Sequence, residues 1–442
     1  MAFTILPAIG ASSIDARELA SREDVSSTTV WRAARAAGDR VATWRSGRST
    51  MLCATRAPYR VPVRRIAADG AVHDAPPLRP LATGGTLWLD WRGKATRFSG
   101  LPPEIEHCRP QGFLGRAFAR RIGAACGVDA NPDHWSADEV LSMLSEHGVD
   151  TPGNLIIGDA AFARFLDAAP SAPIIDASDI APAFVARIAA AIAGDAPGSS
   201  AAGEQPKFTA TIRGEDQVLQ HVIAKFSPAM TQADGRRWAD LLAAEQLAAQ
   251  ALGDLGIETA AAQCLDIGDR RILISNRFDR IGAHGRIGLV SLRAIDDEYF
   301  GKLQTPWVAA TYRMSHAGML GAADASRMRI AYVFGLLIGN SDMHYGNLSF
   351  LHDVAAPGPL RLAPIYDMLP MAFAPLGSEV RACAPLPAVA QPPGVSRREF
   401  AAAQTAAASF WKACSANPLL SAEFREFAAR PLVARCAPQE AR

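Results

Sequence analysis

The sequence predicts an α+β protein in several parts: a small basic module, a β-rich middle and a mainly helical end. Three observations predict it. Nine arginines and a single acid fall between Trp31 and Arg65. Strand-like runs cluster between Thr209 and Ser275 and helical periodicity dominates afterwards, a segregated order rather than a parallel βαβ series. A buried helical stretch from Ile330 delivers the polar turn Asn340-Ser-Asp-Met-His-Tyr-Gly-Asn347, and an apolar strand returns the chain.

The chain has 442 residues, enough for several cores, and its 49% hydrophobic and 20% charged residues are an ordinary globular composition. Its most apolar run, Ile330 to Asn340, is too short to span a bilayer, so no membrane partner is expected. The start, Met1-Ala-Phe-Thr-Ile-Leu-Pro, has no basic leader, so no signal peptide is expected either. Seven scattered cysteines without a C-x-x-C pair argue against a disulfide framework and a zinc site and suit the cytoplasm. The net charge of +1 hides an asymmetry: residues 31–65 carry +8 and the rest −7. Such localisation points to a polyanion partner for the basic module alone.

Within that module, Ser13 to Ser21 reads as a helix behind a Ser cap, with apolar residues at 14, 16, 19 and 20. Ser26-Ser-Thr-Thr opens a second helix stopped by Gly38. Val41 to Trp44 and Thr50 to Thr55 flank a hairpin turn at Ser46-Gly47-Arg48. Helix, turn, helix and basic ribbon is the order of a winged helix-turn-helix. The second helix would place Ser27, Thr28, Thr29, Arg32 and Arg35 in the major groove of double-stranded DNA, with Arg45 and Arg48 on the ribbon. A solvated basic domain that merely docks on the body is the alternative. Short strands follow at Val61-Pro-Val, Thr86 to Trp91 and Ala95 to Phe98. Helices are expected near Gly112–Cys126, Ala137–Glu146 and Ala183–Ala193. Asp195 to Gly203 is a small-residue linker. Then come strands at Thr209–Ile212, Val218–Phe226, Ala261–Leu265 and Arg271–Ser275, with a helix from Arg236 to Leu252 between the second and third.

The chemistry concentrates in four places. Asp342 and Asn347 stand five apart, the D-x-x-x-x-N spacing of a protein-kinase catalytic loop, where the Asp takes or orients a hydroxyl proton and the Asn holds magnesium. Asp367 follows twenty residues later at an expected strand end and suits a second Mg²⁺ ligand. Lys225 interrupts an apolar strand, which makes sense if it faces phosphate and pairs with Glu245 on the next helix; an exposed strand lysine is the bland alternative. Ser199-Ser-Ala-Ala-Gly203-Glu-Gln205-Pro-Lys207 is a flexible loop whose amides and lysine could cradle phosphates, although it lacks Walker spacing.

The ordered set Ser-x-x-Gly-x-Gln-x-Lys, strand Lys, Asn276-Arg-Phe278-Asp-Arg280, D-x-H-x-x-N and Tyr-Asp resembles the HipA family of bacterial serine/threonine kinases, toxins of toxin–antitoxin systems. Arg109-Pro-Gln-Gly-Phe-Leu-Gly-Arg116 is similar to that family's N-terminal subdomain, and the basic module is similar to that of the YjjJ-type branch. The resemblance implies a kinase-related fold, with a winged helix-turn-helix over 1–56, a HipA-like N-terminal subdomain over 57–195 and a kinase core over 196–442. It implies ATP and Mg²⁺ as cofactors, a protein phosphorylated on Ser or Thr as substrate, and growth inhibition. It also implies autophosphorylation at Ser200, with Gly203, Gln205 and Lys207 lining the phosphate loop and Lys225 on the α/β-phosphates. Asn276 and Phe278 fall at the adenine hinge, Asp342 is the base, His344 and Asn347 assist, and Asn347 with Asp367 holds Mg²⁺. Capping of the loop backbone is an equal alternative for His344. A separate antitoxin and a homodimer are compatible with this reading. The sequence departs from the family pattern at Pro206, Asn276 and Gly346. The competing expectation is a transcriptional regulator whose kinase-like body is a degenerate sensor, and a small-molecule phosphotransferase of related fold is a third.

Overall fold

The computed structural model describes residues 3–168, 173–194 and 203–430. The N-terminal module runs α1 (Ile5–Ile9), β1 (Ser13–Asp15), α2 (Ala16–Arg22), α3 (Ser27–Ala37), β2 (Val41–Ser46) and β3 (Ser49–Ala54). Its strands form an antiparallel sheet in the order β1-β3-β2. Leu19, Val30, Val41 and Leu52 close its core. The expected helix start at Ser13 is corrected: Ser13–Asp15 pairs with Met51–Cys53, and the helix begins at Ala16. Its cap is Asp15, whose carboxylate accepts from the N–H groups of Arg17 and Glu18. The second helix is capped by Ser26, whose Oγ accepts from Thr29 N at 3.1 Å. The hairpin turns at Gly47, whose φ of 59° lies where a side chain would be strained.

The middle part carries β4 (Val61–Ile66), β5 (Val72–Pro80), β6 (Thr86–Leu89), β7 (Ala95–Phe98), α4 (Pro103–Glu106), α5 (Gly112–Cys126), α6 (Ala137–His147), β8 (Leu155–Ile157) and α7 (Asp159–Ala168). Its strands order as β7-β6-β5-β4-β8, and α4, α5 and α6 contribute to a core around Trp88, Phe98, Phe118 and Trp135. Next come β9 (Ile174–Asp176), α8 (Ile180–Ile192), β10 (Lys207–Arg213), β11 (Leu219–Phe226), α9 (Ala233–Gly253), β12 (Ala262–Ile267) and β13 (Arg270–Asn276). They build a second sheet, β12-β13-β11-β10-β9, in which β10 and β11 pair Lys207 opposite Lys225.

Two short hairpin strands, β14 (Arg280–Ile281) and β15 (Gly285–Arg286), lead to β16 (Leu289–Ser291) and α10 (Leu292–Ile295). The helical part comprises α11 (Trp307–His316), α12 (Ala322–Ile338), α13 (Arg397–Ala416) and α14 (Ala422–Ala429), with β17 (Ser349–Leu351) and β18 (Arg361–Leu362) pairing beside β16. Its core gathers Trp307, Phe334, Phe410, Trp411, Phe424 and Phe427. The end of the chain is mainly helical as expected, with residues 374–396 running without a helix. No helix among the described residues is long and apolar enough to cross a membrane.

Candidate active site

One cleft gathers most of the singled-out residues because β10, β11, α9 and the two turns after α12 converge on it. Lys207, Lys225, Asp342, His344, Asn347 and Asp367 all line a cavity of about 890 Å³. An adjoining recess of about 140 Å³ shares Lys207, Lys225, Asn347 and Asp367 and adds Ile223, Ser275, Asn276, Phe278 and Leu289. Asn276 and Phe278 therefore stand beside the charged groups, on the apolar side. Gly203 and Gln205 line the larger cavity, while Ser200 lies outside the described residues.

Lys225 is buried and its Nζ donates to both Glu245 oxygens, at 2.6 and 2.8 Å, and to Asp367 Oδ1. Burial works against the ammonium, but Asp367 and Glu245 outweigh it and raise its pKa. The same pairing leaves Asp367 below the usual carboxylate range despite burial, whereas burial keeps Glu245 above it. Lys207, on the same sheet face, is also buried. Desolvation lowers it to about 8, offset in part by Asp367 and pushed further by Lys225. Gly203 turns with φ at 94°, and a Cβ there would meet Lys207 Nζ at 2.8 Å. Pro206 follows Gln205 and its carbonyl accepts from Phe226 N, so the loop's exit is tied to β11.

The turn after α12 is held by its own side chains. Asn340 Oδ1 accepts from Asp342 N at 3.0 Å. Asn347 Nδ2 donates to Asp342 O at 2.8 Å, so its amide oxygen can face the cleft. His344 Nδ1 accepts from Gly346 N at 2.9 Å, which realises the backbone-capping role and puts Nε2 4.0 Å from Asp342 Oδ1. Asp342 is half-exposed at the cleft. Partial burial raises its pKa, with His344 opposing and Asp367 adding to the rise. Burial lowers His344. Asp367 does not sit at a strand end as expected: its φ is 54°, and the flanking link to the fold is a single bridge between Ile365 and Thr259. A left-handed non-glycine residue at this point is strained, and its ion pair with Lys225 helps hold it there.

Sequence reasoning missed several groups at this site. Tyr366 Oη donates to Gly346 O at 2.9 Å and meets Ser349 Oγ at 2.8 Å, while its ring lies 5.9 Å from that of Phe278. From the middle part, Phe113 N donates to Gly203 O at 2.9 Å and Arg116 pairs with both oxygens of Glu204. Gly112, at φ 58°, lies against the Gly203 backbone with no room for a side chain. The motif Arg109–Arg116 is singled out by resemblance to the family's N-terminal subdomain, but nothing in it signals its partner at Gly203–Glu204.

Two segments of the chain match known families. Residues 57–166 match the family profile described as YjjJ-like toxin, middle domain, and residues 199–429 match the HipA-like C-terminal domain. Toxin YjjJ of Escherichia coli (strain K12) is 34% identical over 423 residues, covering 93% of each chain. The chain belongs to the HipA family, in its YjjJ-like branch. Among solved structures, a chain of the Shewanella oneidensis MR-1 HipA, HipB and operator DNA complex is 15% identical with a TM-score of 0.44, over 78% of this chain and 86% of that one. The Helicobacter pylori proinflammatory kinase CtkA is 16% identical with a TM-score of 0.28, over 38% and 54%. The HipA-like C-terminal match takes in Lys207, Lys225, Asp342, Asn347 and Asp367. The YjjJ-like middle match takes in Gly112 and Arg116, so in this HipA family member both segments meet at Gly203–Glu204.

The basic stretch divides in two. Arg56, Arg60, Arg64 and Arg65 make ion pairs with Asp138, Asp39, Asp74 and Asp353, the first, third and fourth tying the module's exit and β4 to the body. Arg32, Arg35, Arg45 and Arg48 are exposed and make no ion pair among the described residues. Ser27 and Thr28 are exposed too, and Thr29 Oγ1 meets Ser26 Oγ at 3.0 Å.

Proposed function

We propose that this protein transfers the γ-phosphoryl group of ATP to a serine or threonine of a protein, and that it acts as a growth-inhibiting toxin of the HipA type. The observation that carries the reading is the convergence of Lys207, Lys225 with Glu245, Asp342, Asn347 and Asp367 on one cleft beside an apolar recess. Phosphoryl transfer asks a protein mainly for positioning and charge stabilisation. Lys225, fixed by Glu245, meets the α/β-phosphates, and Lys207 with the Gly203 turn holds the rest of the chain. The base enters the recess between Asn276, Phe278 and Leu289. Asp342, half-exposed with its pKa raised by partial burial, accepts the proton of the incoming hydroxyl. His344 holds the turn rather than taking a proton, because its Nδ1 already accepts from Gly346.

The oxygen donors of Asn347 and Asp367 fit Mg²⁺, a hard cation that combines one or two such ligands with phosphate oxygens. Bound there, the metal would neutralise charge on the transferring phosphate. The proposal extends to autophosphorylation at Ser200. The test is phosphate transfer from γ-labelled ATP by the wild type and by Asp342→Asn, with intact-mass and phosphopeptide analysis of Ser200. Equal labelling by both would sink the catalytic reading.

The exposed, unpaired arginines of the N-terminal module favour a second activity, binding of double-stranded DNA through α3 and the β2–β3 hairpin. The alternative of a merely docking basic domain explains Arg56 to Arg65 but leaves Arg32, Arg35, Arg45 and Arg48 without a role. Fluorescence anisotropy with duplex DNA from upstream of the gene tests it. An affinity indifferent to salt would argue against phosphate contacts.

A further inference from the structure

Lys207 and Lys225 face three carboxylates, Glu245, Asp342 and Asp367, and the cleft is also lined by two further cations, Arg293 and Arg381, and two further carboxylates, Asp133 and Glu204. Lys225 is already clamped by two of those carboxylates. The turn Asn340–Asn347 contributes no lysine or arginine, and Gly346 could not host one without disturbance, since a Cβ would stand 2.8 Å from the His344 ring. Arg381 is held by Glu379, so a further cation without an ion pair is wanted beside that turn.

Arg293 stands at that place. Its side chain lines both the cleft and the recess, beside Gly346, Asn347 and Asp367. It is placed by rigid backbone: Ser291 pairs with Ser349, Leu292 N donates to Leu348 O at 2.9 Å, and Ser291 Oγ caps the short helix through Ala294 N. Its guanidinium donates to Gln111 Oε1 at 3.3 Å and makes no ion pair among the described residues. Asp297, one turn along, feels its charge without pairing with it. A guanidinium stays charged at any working pH and grips phosphate oxygens through two parallel donors.

We infer that Arg293, steered by Gln111, is a phosphate-binding residue that engages the polyphosphate of the nucleotide. This rests on the nucleotide reading above. Gln111 comes from the middle part, so that part supplies a wall of the phosphate subsite as well as a contact to Gly203.

The test is calorimetric titration of the full chain with adenosine, ADP and a non-hydrolysable ATP analogue. Wild type, Arg293→Gln, Arg293→Lys and Gln111→Leu are compared. Arg293→Gln should lose on the order of tenfold or more in affinity for the ATP analogue, the worth of a charge-assisted contact. Adenosine affinity should be unchanged, and Arg293→Lys should recover part of the loss. Gln111→Leu, which keeps the arginine, should show a smaller loss of the same kind and carries the test if Arg293→Gln fails to fold. Wild type that binds the analogue while Arg293→Gln and Gln111→Leu bind it equally well overturns the inference alone. Equal loss of adenosine and analogue also overturns it, by showing a structural role. Wild type that binds neither overturns the nucleotide reading together with this inference.

Discussion

The side-chain amide of Asn347 donates to the main-chain oxygen of Asp342 at 2.8 Å, closing the turn on itself. Asn340 Oδ1 accepts from the N–H of the same residue on the other side. Asp342 is thus presented at the cleft by two asparagines, and its own carboxylate is left half-exposed for a substrate. Replacing it by Asn keeps the turn and removes the proposed base. Phosphotransfer should fall by about 10²–10⁴, the usual worth of a positioned base, with the thermal midpoint nearly unchanged. Single-turnover labelling and a melting curve check both halves.

The Lys225–Glu245–Asp367 cluster gives a stability prediction with a pH signature. Lys225→Met leaves buried Glu245 and part-buried Asp367 without the cation they share and should cost about 3–5 kcal/mol near neutral pH. Glu245 is already above the usual carboxylate range through burial, and losing Lys225 raises it further. A carboxyl whose folded pKa is raised binds more protons folded than unfolded, so stability falls as pH rises through that region. The deficit of Lys225→Met against wild type should therefore shrink from pH 7.5 to pH 5. Urea unfolding at both pH values measures it, and a deficit that grows in acid would contradict the assignment.

Lys207 sets an alkaline limit. Burial holds it to about 8, with Asp367, Glu245 and Glu204 favouring its charge and Lys225 opposing it. Its ammonium is present below that value and lost above it. Affinity for the ATP analogue should drop on the order of tenfold from pH 7 to pH 9 as one charged contact disappears. Lys207→Arg, if it binds at all, should show a flatter profile over that range.

Much of this site was legible because its residues violate the local pattern. Lys225 interrupts an apolar strand, and its partner Glu245 lies on the helix that follows, so the pair could be anticipated from one stretch of chain. Asp342 and Asn347 share a turn and their spacing survives intact. Asp367 was recognised by its order in the chain, yet its expected strand does not exist, because the backbone turns left-handed there under a tertiary ion pair. Arg293 and Gln111 were not legible. Arg293 has an unremarkable neighbourhood, and Gln111 lies in the Arg109–Arg116 motif without a role assigned to it; both acquire meaning only when β16 pairs with β17 and the middle part packs against the cleft. The start of α2 was misplaced for a similar reason: Ser13 has the chemistry of a cap, but strand pairing with Cys53 claims it first.

The apposition of Gly112 and Gly203 gives a prediction about the proposed phosphate loop. A Cβ at Gly112 would lie 2.5 Å from Gly203 O and 2.6 Å from its N, besides adopting a strained φ. Gly112→Ala should push Gly203–Glu204 off the start of α5 and weaken nucleotide affinity more than it lowers the thermal midpoint. Arg116→Gln should have a smaller effect. Its partner Glu204 is mostly exposed, and such pairs are worth about 0–1 kcal/mol. The ranking, read by titration with the ATP analogue, separates backbone apposition from the ion pair as the main hold.

The N-terminal module gives the last prediction, and it separates DNA binding from simple docking. Arg32 and Arg35 lie exposed on α3 behind the Ser26 cap, and Arg45 and Arg48 lie on the hairpin beside it. If these four meet phosphates, each releases counterions on binding, and the slope of log K against log salt should fall by about 1 for each arginine removed. Arg32→Gln and Arg48→Gln should therefore each flatten the slope and weaken binding across all duplexes. If α3 enters the major groove, Thr28 at its exposed start would meet base edges, so Thr28→Ala should change sequence preference and leave the slope alone. Arg56→Gln, whose ion pair with Asp138 is internal to the protein, should alter neither. Equal effects of Arg56→Gln and Arg32→Gln on DNA affinity would mean that the module's charge serves only to dock it on the body.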